Sequence, residues 1–303
     1  MIHIHNGDVV AQLARRANIP GEHVAFRESL VTGRVTPGDD WIETRTNVLA
    51  TFFGEDLLRV RTSLVEQEQM LDSAPSRGEI VLWFEHDVFC LVHLLYLLNR
   101  LGAAKLSLIW CPTPISQLDE RELFLRFESR GAVTPMTLKA ARNAWQAYIA
   151  PEPVALNALL GRDSIDFPFL REGLTLHASR FPSIENGLGV IEQRILMILS
   201  AGALDFVALF PQVDTDPPRF GFGDAQVMAT LRELASRTVP LIAMTGSAPK
   251  TIFSITPAGE NVLSGEVDDR AVNDPDTWLG GVHLTKENLW RWTGASLNHS
   301  PAS

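Results

Sequence analysis

The chain has 303 residues, 46% of them hydrophobic and 20% charged, a composition that fits a globular protein of about two domains and excludes a disordered tail, a collagen or a disulfide scaffold. Its 26 basic residues stand against 36 acidic ones, for a net charge of −10, so a broad basic footprint for nucleic acid or anionic lipid is absent. The two cysteines, Cys90 and Cys111, have no metal-type spacing and accord with a reducing cytoplasm. Met1-Ile2-His3-Ile4-His5-Asn6 carries no secretion pattern, and the most apolar run, 88–98, is shorter than the ~20 residues of a membrane span. A cytoplasmic protein without a membrane partner is expected.

Residues 2–5 read as a short strand, broken by Asn6-Gly7-Asp8. Val9, Val10, Leu13, Ala14 and Ala17 then recur at helical spacing, and Pro20-Gly21 ends that helix. Residues 23–26 read as a second strand, and 41–53 and 55–71 as two helices with polar outer faces. Ile80-Val81-Leu82-Trp83-Phe84 is a continuous apolar run, the kind covered on both faces in a parallel sheet. Residues 88–101 follow as a helix apolar nearly all round, hence deeply buried, with Gly102 placed to cap it. Residues 106–110 form the next strand. This alternation predicts right-handed crossovers in a parallel sheet.

From 116 to 182 the pattern is helical only, with Thr134-Pro135 as a helix start and Pro151, Pro153, Pro168 and Pro182 as punctuation. Beyond Glu185, Ile191, Ile195, Leu196 and Leu199 mark one helix, 206–210 a short second, and Asp224 opens a third through Val227, Leu231 and Leu234. Strands at 241–244 and 251–255 complete the winged-helix order, and Thr256-Pro257-Ala258-Gly259 fits the strand-to-helix turn that ends such domains. Trp278, Leu279, Leu284, Trp290 and Trp292 are too apolar for a free tail, so this segment is expected to fold back on the α/β part or the helices, with Gly280-Gly281 allowing close backbone approach.

In open parallel sheets ligands bind beyond the carboxyl ends of the strands. Those ends carry Asn6-Gly7-Asp8, Arg27-Glu28, Glu85-His86-Asp87 and Cys111-Pro112-Thr113. A helix start behind Gly7 suits phosphate or carboxylate, and Arg27 adds a bidentate anion contact. The carboxylates Asp8, Glu28, Glu85 and Asp87 suit ribose hydroxyls, a hard cation or acid–base work. The structural account of the same residues makes Asp8 and Asp87 N-caps, Gly7 a turn residue, and Arg27 a partner of Glu28 or Glu85. Neither G-x-G-x-x-G nor G-x-x-x-x-G-K-[ST] is present, so the cofactor stays open. A competing metal reading gathers His3 and His5, which share one face of a strand, with His86 and Asp87. Cys90 and His93 read as core, the latter hydrogen-bonded. Between 185 and 265 five basic residues face eight acidic ones, which predicts a docking or dimerising unit rather than a DNA reader.

His3-Ile4-His5-Asn6-Gly7-Asp8 and Trp83-Phe84-Glu85-His86-Asp87 resemble the bacterial family built on domain of unknown function 1835. Asn186-Gly187-Leu188, Gly223-Asp224, Thr256-Pro257-Ala258-Gly259, Trp278-Leu279-Gly280-Gly281 and Trp290-Arg291-Trp292 resemble its C-terminal companion region. Leu91 stands where that family commonly has glutamine. The resemblance implies membership and no reaction.

The expected architecture is α/β: a Rossmann-like parallel-sheet domain (1–115), a helical connector (116–182) and a winged-helix-like domain with a Trp-rich end (183–303). The expected function is an enzyme or binding protein for a small anionic or nucleotide-like molecule. Glu85, His86 and Asp87 would be catalytic; Asn6, Gly7, Asp8, Arg27 and Glu28 would bind. The alternatives are a ligand-sensing scaffold that docks a protein partner or a second copy, and a His/Asp metal-dependent hydrolase.

Overall fold

The apolar run 80–84 is the middle of a five-stranded sheet. The computed structural model describes residues 1–102, 104–162, 167–247 and 250–300. Its strands are β1 (Ile2–Asn6), β2 (Glu22–Phe26), β3 (Ile80–Glu85), β4 (Leu106–Cys111) and β5 (Gly131–Ala132). They lie in the order β2-β1-β3-β4-β5. The first four are parallel, with Ile4 opposite Leu82 and Leu82 opposite Leu108. β5 runs antiparallel to β4 at the edge, so the segment after 116 is not wholly helical. Two residues carry no periodicity, which hides such a strand from a sequence reading.

Alternation along β3 explains why the whole run is apolar. Ile80, Leu82 and Phe84 join one core cluster, and Val81 and Trp83 join another on the opposite face. The second face is covered by α1 (Asp8–Arg16), through Val10 and Ala14. The first is covered by a later helix. Between them come α2 (Trp41–Phe53) and α3 (Leu57–Ser73), then α4 (Val88–Leu101). α4 buries eleven of its fourteen residues, as an all-round apolar helix must. Gly102 does end α4, but in right-handed rather than left-handed backbone.

α5 (Glu120–Glu128) places Leu123 and Phe127 on the α1 side of the sheet. α6 (Pro135–Tyr148) starts as expected: Thr134 Oγ1 accepts from the Thr137 N–H, and Pro135 opens the first turn. α6 packs on α4 and leads to α7 (Val154–Leu160) and α8 (Leu170–Ala178).

The C-terminal third begins with α9 (Val190–Ser200), β6 (Leu204–Asp205), α10 (Phe206–Val213) and α11 (Asp224–Ser236). β7 (Ile242–Thr245) and β8 (Ile252–Ile255) form the expected hairpin, and β6 pairs with β8 as a third antiparallel strand. α12 (Pro257–Leu263) is capped by Thr256, and α13 (Asp269–Val272) follows. Two small hairpins close the chain: β9 (Thr277–Leu279) with β10 (Val282–Leu284), and β11 (Trp290–Trp292) with β12 (Leu297–His299).

The apolar C-terminal segment folds back as anticipated. The Gly281 N–H donates to Tyr148 O at the end of α6, and the Val35 N–H donates to Gly280 O. A Cβ on either glycine would collide with the carbonyls of Tyr148 or Ile149. Leu279, Leu284 and Leu297 belong to the same core cluster as Ile4 and Leu82, and Trp290 and Trp292 pack against it. Among the described residues no helix is long and apolar enough to cross a membrane.

Candidate functional site at the carboxyl ends of the strands

The chain steps outward from β1 to β2, then crosses back to place β3 on the other side of β1. The connections leaving β1 and β3 therefore diverge, the arrangement that in open parallel sheets makes a ligand crevice at the carboxyl ends. Asn6-Gly7-Asp8 leaves β1 there and Glu85-His86-Asp87 leaves β3. Gly7 has φ 94°, which favours glycine, and a Cβ built on it would meet nothing within 4 Å. Space thus lies open in front of the first turn of α1, whose N-cap position, held by Gly7, has no side-chain cap.

A hydrogen-bond chain fixes Asn6. The Leu30 N–H donates to His93 Nε2 at 3.1 Å, so the His93 proton sits on Nδ1 and is donated to Asn6 Oδ1 at 2.8 Å. That leaves Asn6 Nδ2 to donate to Cys90 Sγ at 2.9 Å. His93 is a hydrogen-bonded core histidine, as read from the sequence. Burial holds it to about 3, and it stays neutral.

The two acids beside this chain are both pushed upward. Asp87 is 5% exposed and caps α4: its Oδ1 accepts from the Cys90 N–H at 2.6 Å. Burial raises its carboxyl to about 8, the Cys90 N–H pulls it back, and Glu85 adds to the rise. Glu85 is raised by burial too, partly offset by the Ile115 N–H that it accepts at 2.9 Å. Burial raises the Cys90 thiol, helped by Asp87 and Glu85. One ligand atom from each of Glu85, Asp87 and Cys90 lies within 4.8 Å of the others, so these three could hold a cation or share protons. His86 is wedged between Trp110 and Phe169, stacked on the latter at 5.3 Å. Burial and Arg219 hold it to about 4, so it is neutral, and among the described residues its buried Nε2 has no partner.

Other expected members are placed differently. Asp8 is the first helical residue rather than the cap, and its carboxylate pairs with Arg27 through two bonds of 2.6 and 2.9 Å at the surface. Arg27 therefore pairs with neither Glu28 nor Glu85. Glu28 turns away from the crevice into an ion pair with Arg45, with side chains 2% and 0% exposed. Arg45 also donates to the carbonyls of Ser29, Thr32 and Arg34, so the pair organises the loop after β2.

The histidine metal set does not gather either. His3 and His5 do share one face of β1, but their rings stack with His23. His3 Nε2 donates to Pro20 O and its Nδ1 accepts from Trp83 Nε1, while His5 Nε2 donates to His23 Nδ1. Neither ring faces His86 or Asp87 as part of a ligand cluster among the described residues.

The sequence reading missed two contributors. Cys90 lies three residues after Asp87, and that spacing puts it one helical turn from the cap, where its N–H meets the carboxylate. The second is a cover from the C-terminal third. The Val88 and Phe89 N–H groups donate to Arg219 O and Phe220 O, and a Cβ on Gly221 would stand 2.5 Å from the Asp87 carboxyl. Asp214 holds this cover by accepting from the N–H groups of Arg219, Phe220 and Gly221. Nothing in local sequence signals contacts across such a separation. Compared with known proteins, the chain matches no family model and no curated protein.

Proposed function

We propose that the chain binds a small anionic, nucleotide-like molecule in the crevice between the ends of β1 and β3 and acts on it by acid–base chemistry. The observation that carries this reading is the convergence of Asn6-Gly7-Asp8 and Glu85-His86-Asp87 where the connections of two adjacent parallel strands diverge. Gly7 and the first turn of α1 would take the anionic group, with Arg27 beside them. Asp87 carries a proton at neutral pH and would serve as the acid, with Glu85 as its partner and Asn6 as the group that positions Cys90 and His93. Glu28 acts through Arg45 on the shape of the loop. Membership of the family of domain of unknown function 1835 rests on the same two motifs and is proposed with it.

A second reading has its own support. The cover on Asp87 comes from the segment between α10 and α11, so occupancy of the crevice would be felt there. The order of α9, β6, α10, α11, β7 and β8 accords with a winged helix, which we propose as a docking unit. In it Arg194 and Arg237 are spent on internal bonds. The buried thiols Cys90 and Cys111 accord with a cytoplasmic setting.

Mass spectrometry of small molecules and metals released from the purified protein tests the first reading. A phosphorylated or carboxylated compound, lost from Asp87→Asn and Gly7→Val, is the expected result. No released compound, together with no thermal shift from nucleotides or sugar phosphates, would overturn it. Turnover of the compound favours the enzyme; ligand-dependent partner capture without turnover favours the sensor.

A further inference from the structure

A cavity lies away from these strand ends. It has a volume of about 660 Å³, within the usual ~300–1,000 Å³ of small-molecule sites. One wall is the loop after β2 with α2, and the other is built from α9, α11 and β9. Phe52, Phe222 and Trp278 give it apolar and aromatic surface.

Its charges are unevenly served. Arg237 is paired with Glu192, Glu233 and Asp269, and Arg270 is paired with Asp269. Arg180, which lines the same cavity, has no such partner: among the described residues no carboxylate comes within ion-pair distance of it. Its Nη2 donates to Val31 O at 2.8 Å, its plane lies over Phe222 at 5.0 Å, the Tyr148 side chain stands against it, and among the described residues its Nη1 has no acceptor. Desolvation works against the charge of this guanidinium, as its lowered pKa reflects. A half-buried cation without a counter-charge is costly, and a bound anion offsets that cost.

The remaining lining restricts the ligand. Glu192, Glu233 and Asp276 border the cavity, so a polyanion would meet repulsion away from Arg180. We propose that this cavity binds a small molecule with a single anionic group, a carboxylate or phosphate monoester, anchored at Arg180 and carried on an aromatic or aliphatic body against Phe222. This site is separate from the strand-end crevice. Its ligand differs in class, because the crevice reading invokes a nucleotide-like molecule.

The test is calorimetric and NMR titration of the full chain with benzoate, phenylacetate, hexanoate and phenyl phosphate, with ATP as the polyanionic control. At least one monoanion is expected to bind with a Kd below about 10 mM and ATP more weakly, with chemical-shift changes at Val31, Phe222 and Ala229. Arg180→Gln keeps a donor for Val31 O and removes the charge; it should weaken that probe by at least about tenfold. Ala229→Phe narrows the cavity from the α11 wall with Arg180 itself unchanged and should block binding while the melting temperature holds. Failure of all four probes, unchanged binding in Arg180→Gln, or unchanged binding in Ala229→Phe would each overturn the proposal.

Discussion

Asp87→Asn keeps an oxygen for the Cys90 N–H and removes the titratable proton, because asparagine caps a helix about as well as aspartate. Near pH 7 the folded chain keeps the Asp87 proton that the unfolded chain releases, so this variant is expected to melt at or above the parent there while losing ligand. A large melting loss with ligand binding intact would reduce Asp87 to a cap. Glu28→Gln separates the other acid from the site. It leaves the Arg45 guanidinium buried without its counter-charge, and breaking such pairs costs about 3–5 kcal/mol. Chemical denaturation should show a loss of that size; a loss under about 1 kcal/mol would mean that Glu28 does not organise the loop after β2. Gly221 provides a third handle. It has φ 65°, and a Cβ would press on the Asp87 carboxyl. Gly221→Ala should therefore destabilise by about 1–3 kcal/mol, and less so when combined with Asp87→Ala, a non-additivity that a double-mutant cycle reads directly.

The elements divide by how local their causes are. β3 and α4 were legible because continuous apolar runs admit few other fates, and the starts of α6 and α12 because a threonine cap before proline is a local device. β5 and β6 were not, since two residues cannot show a period and their pairing is set by distant strands. The crevice was legible as two motifs at strand ends, a consequence of parallel topology. The commitment of Glu28 to Arg45, of Asp8 to Arg27 and of Gly221 to Asp87 was not, because it depends on loops that only packing fixes. The C-terminal hairpins make the same contrast testable. Removing residues 274–303 strips Leu279, Leu284 and Leu297 from the core and frees Tyr148 O from its bond to Gly281. Each large side chain exposed costs about 1.5–3 kcal/mol, so the loss rivals the margin of a whole domain. An aggregating or molten product is expected. A monodisperse protein with a cooperative melt would show instead that these hairpins serve a partner. On α11 Arg232 is exposed, while Arg237 just past its end is spent in ion pairs, so specific duplex binding at nanomolar affinity is not expected; a gel-shift at physiological salt checks it.

For the whole molecule, buried titratable groups set how stability follows pH, and they pull in opposite directions. His3, His86 and His93 are held to about 4, about 4 and about 3, chiefly by burial, and His5, His23 and His177 are lowered as well. An unfolded chain takes up protons on these rings near their ordinary value of 6.5, while the folded chain refuses them until lower pH. Unfolding therefore gains protons as pH falls from about 6.5 toward 4, and stability drops over that window. Asp87 has the opposite sign. Folded, it keeps its proton up to about 8; unfolded, it releases it near 3.8. Its contribution falls as pH rises through that range, by about 1.4 kcal/mol per pH unit. Below pH 6.5 the six histidines outnumber it. Above 6.5 they are neutral in both states, and the slope of Asp87 is left exposed. Maximum stability is thus expected near pH 6.5, with an acid limb from histidines and an alkaline limb worth about 2 kcal/mol by pH 8. Denaturation across pH 4–9 in the parent and in Asp87→Asn decides the assignment. The variant should lose the alkaline limb and keep the acid one. If the alkaline limb persists without the Asp87 carboxyl, the buried proton lies elsewhere and the acid–base role proposed for this residue falls with it.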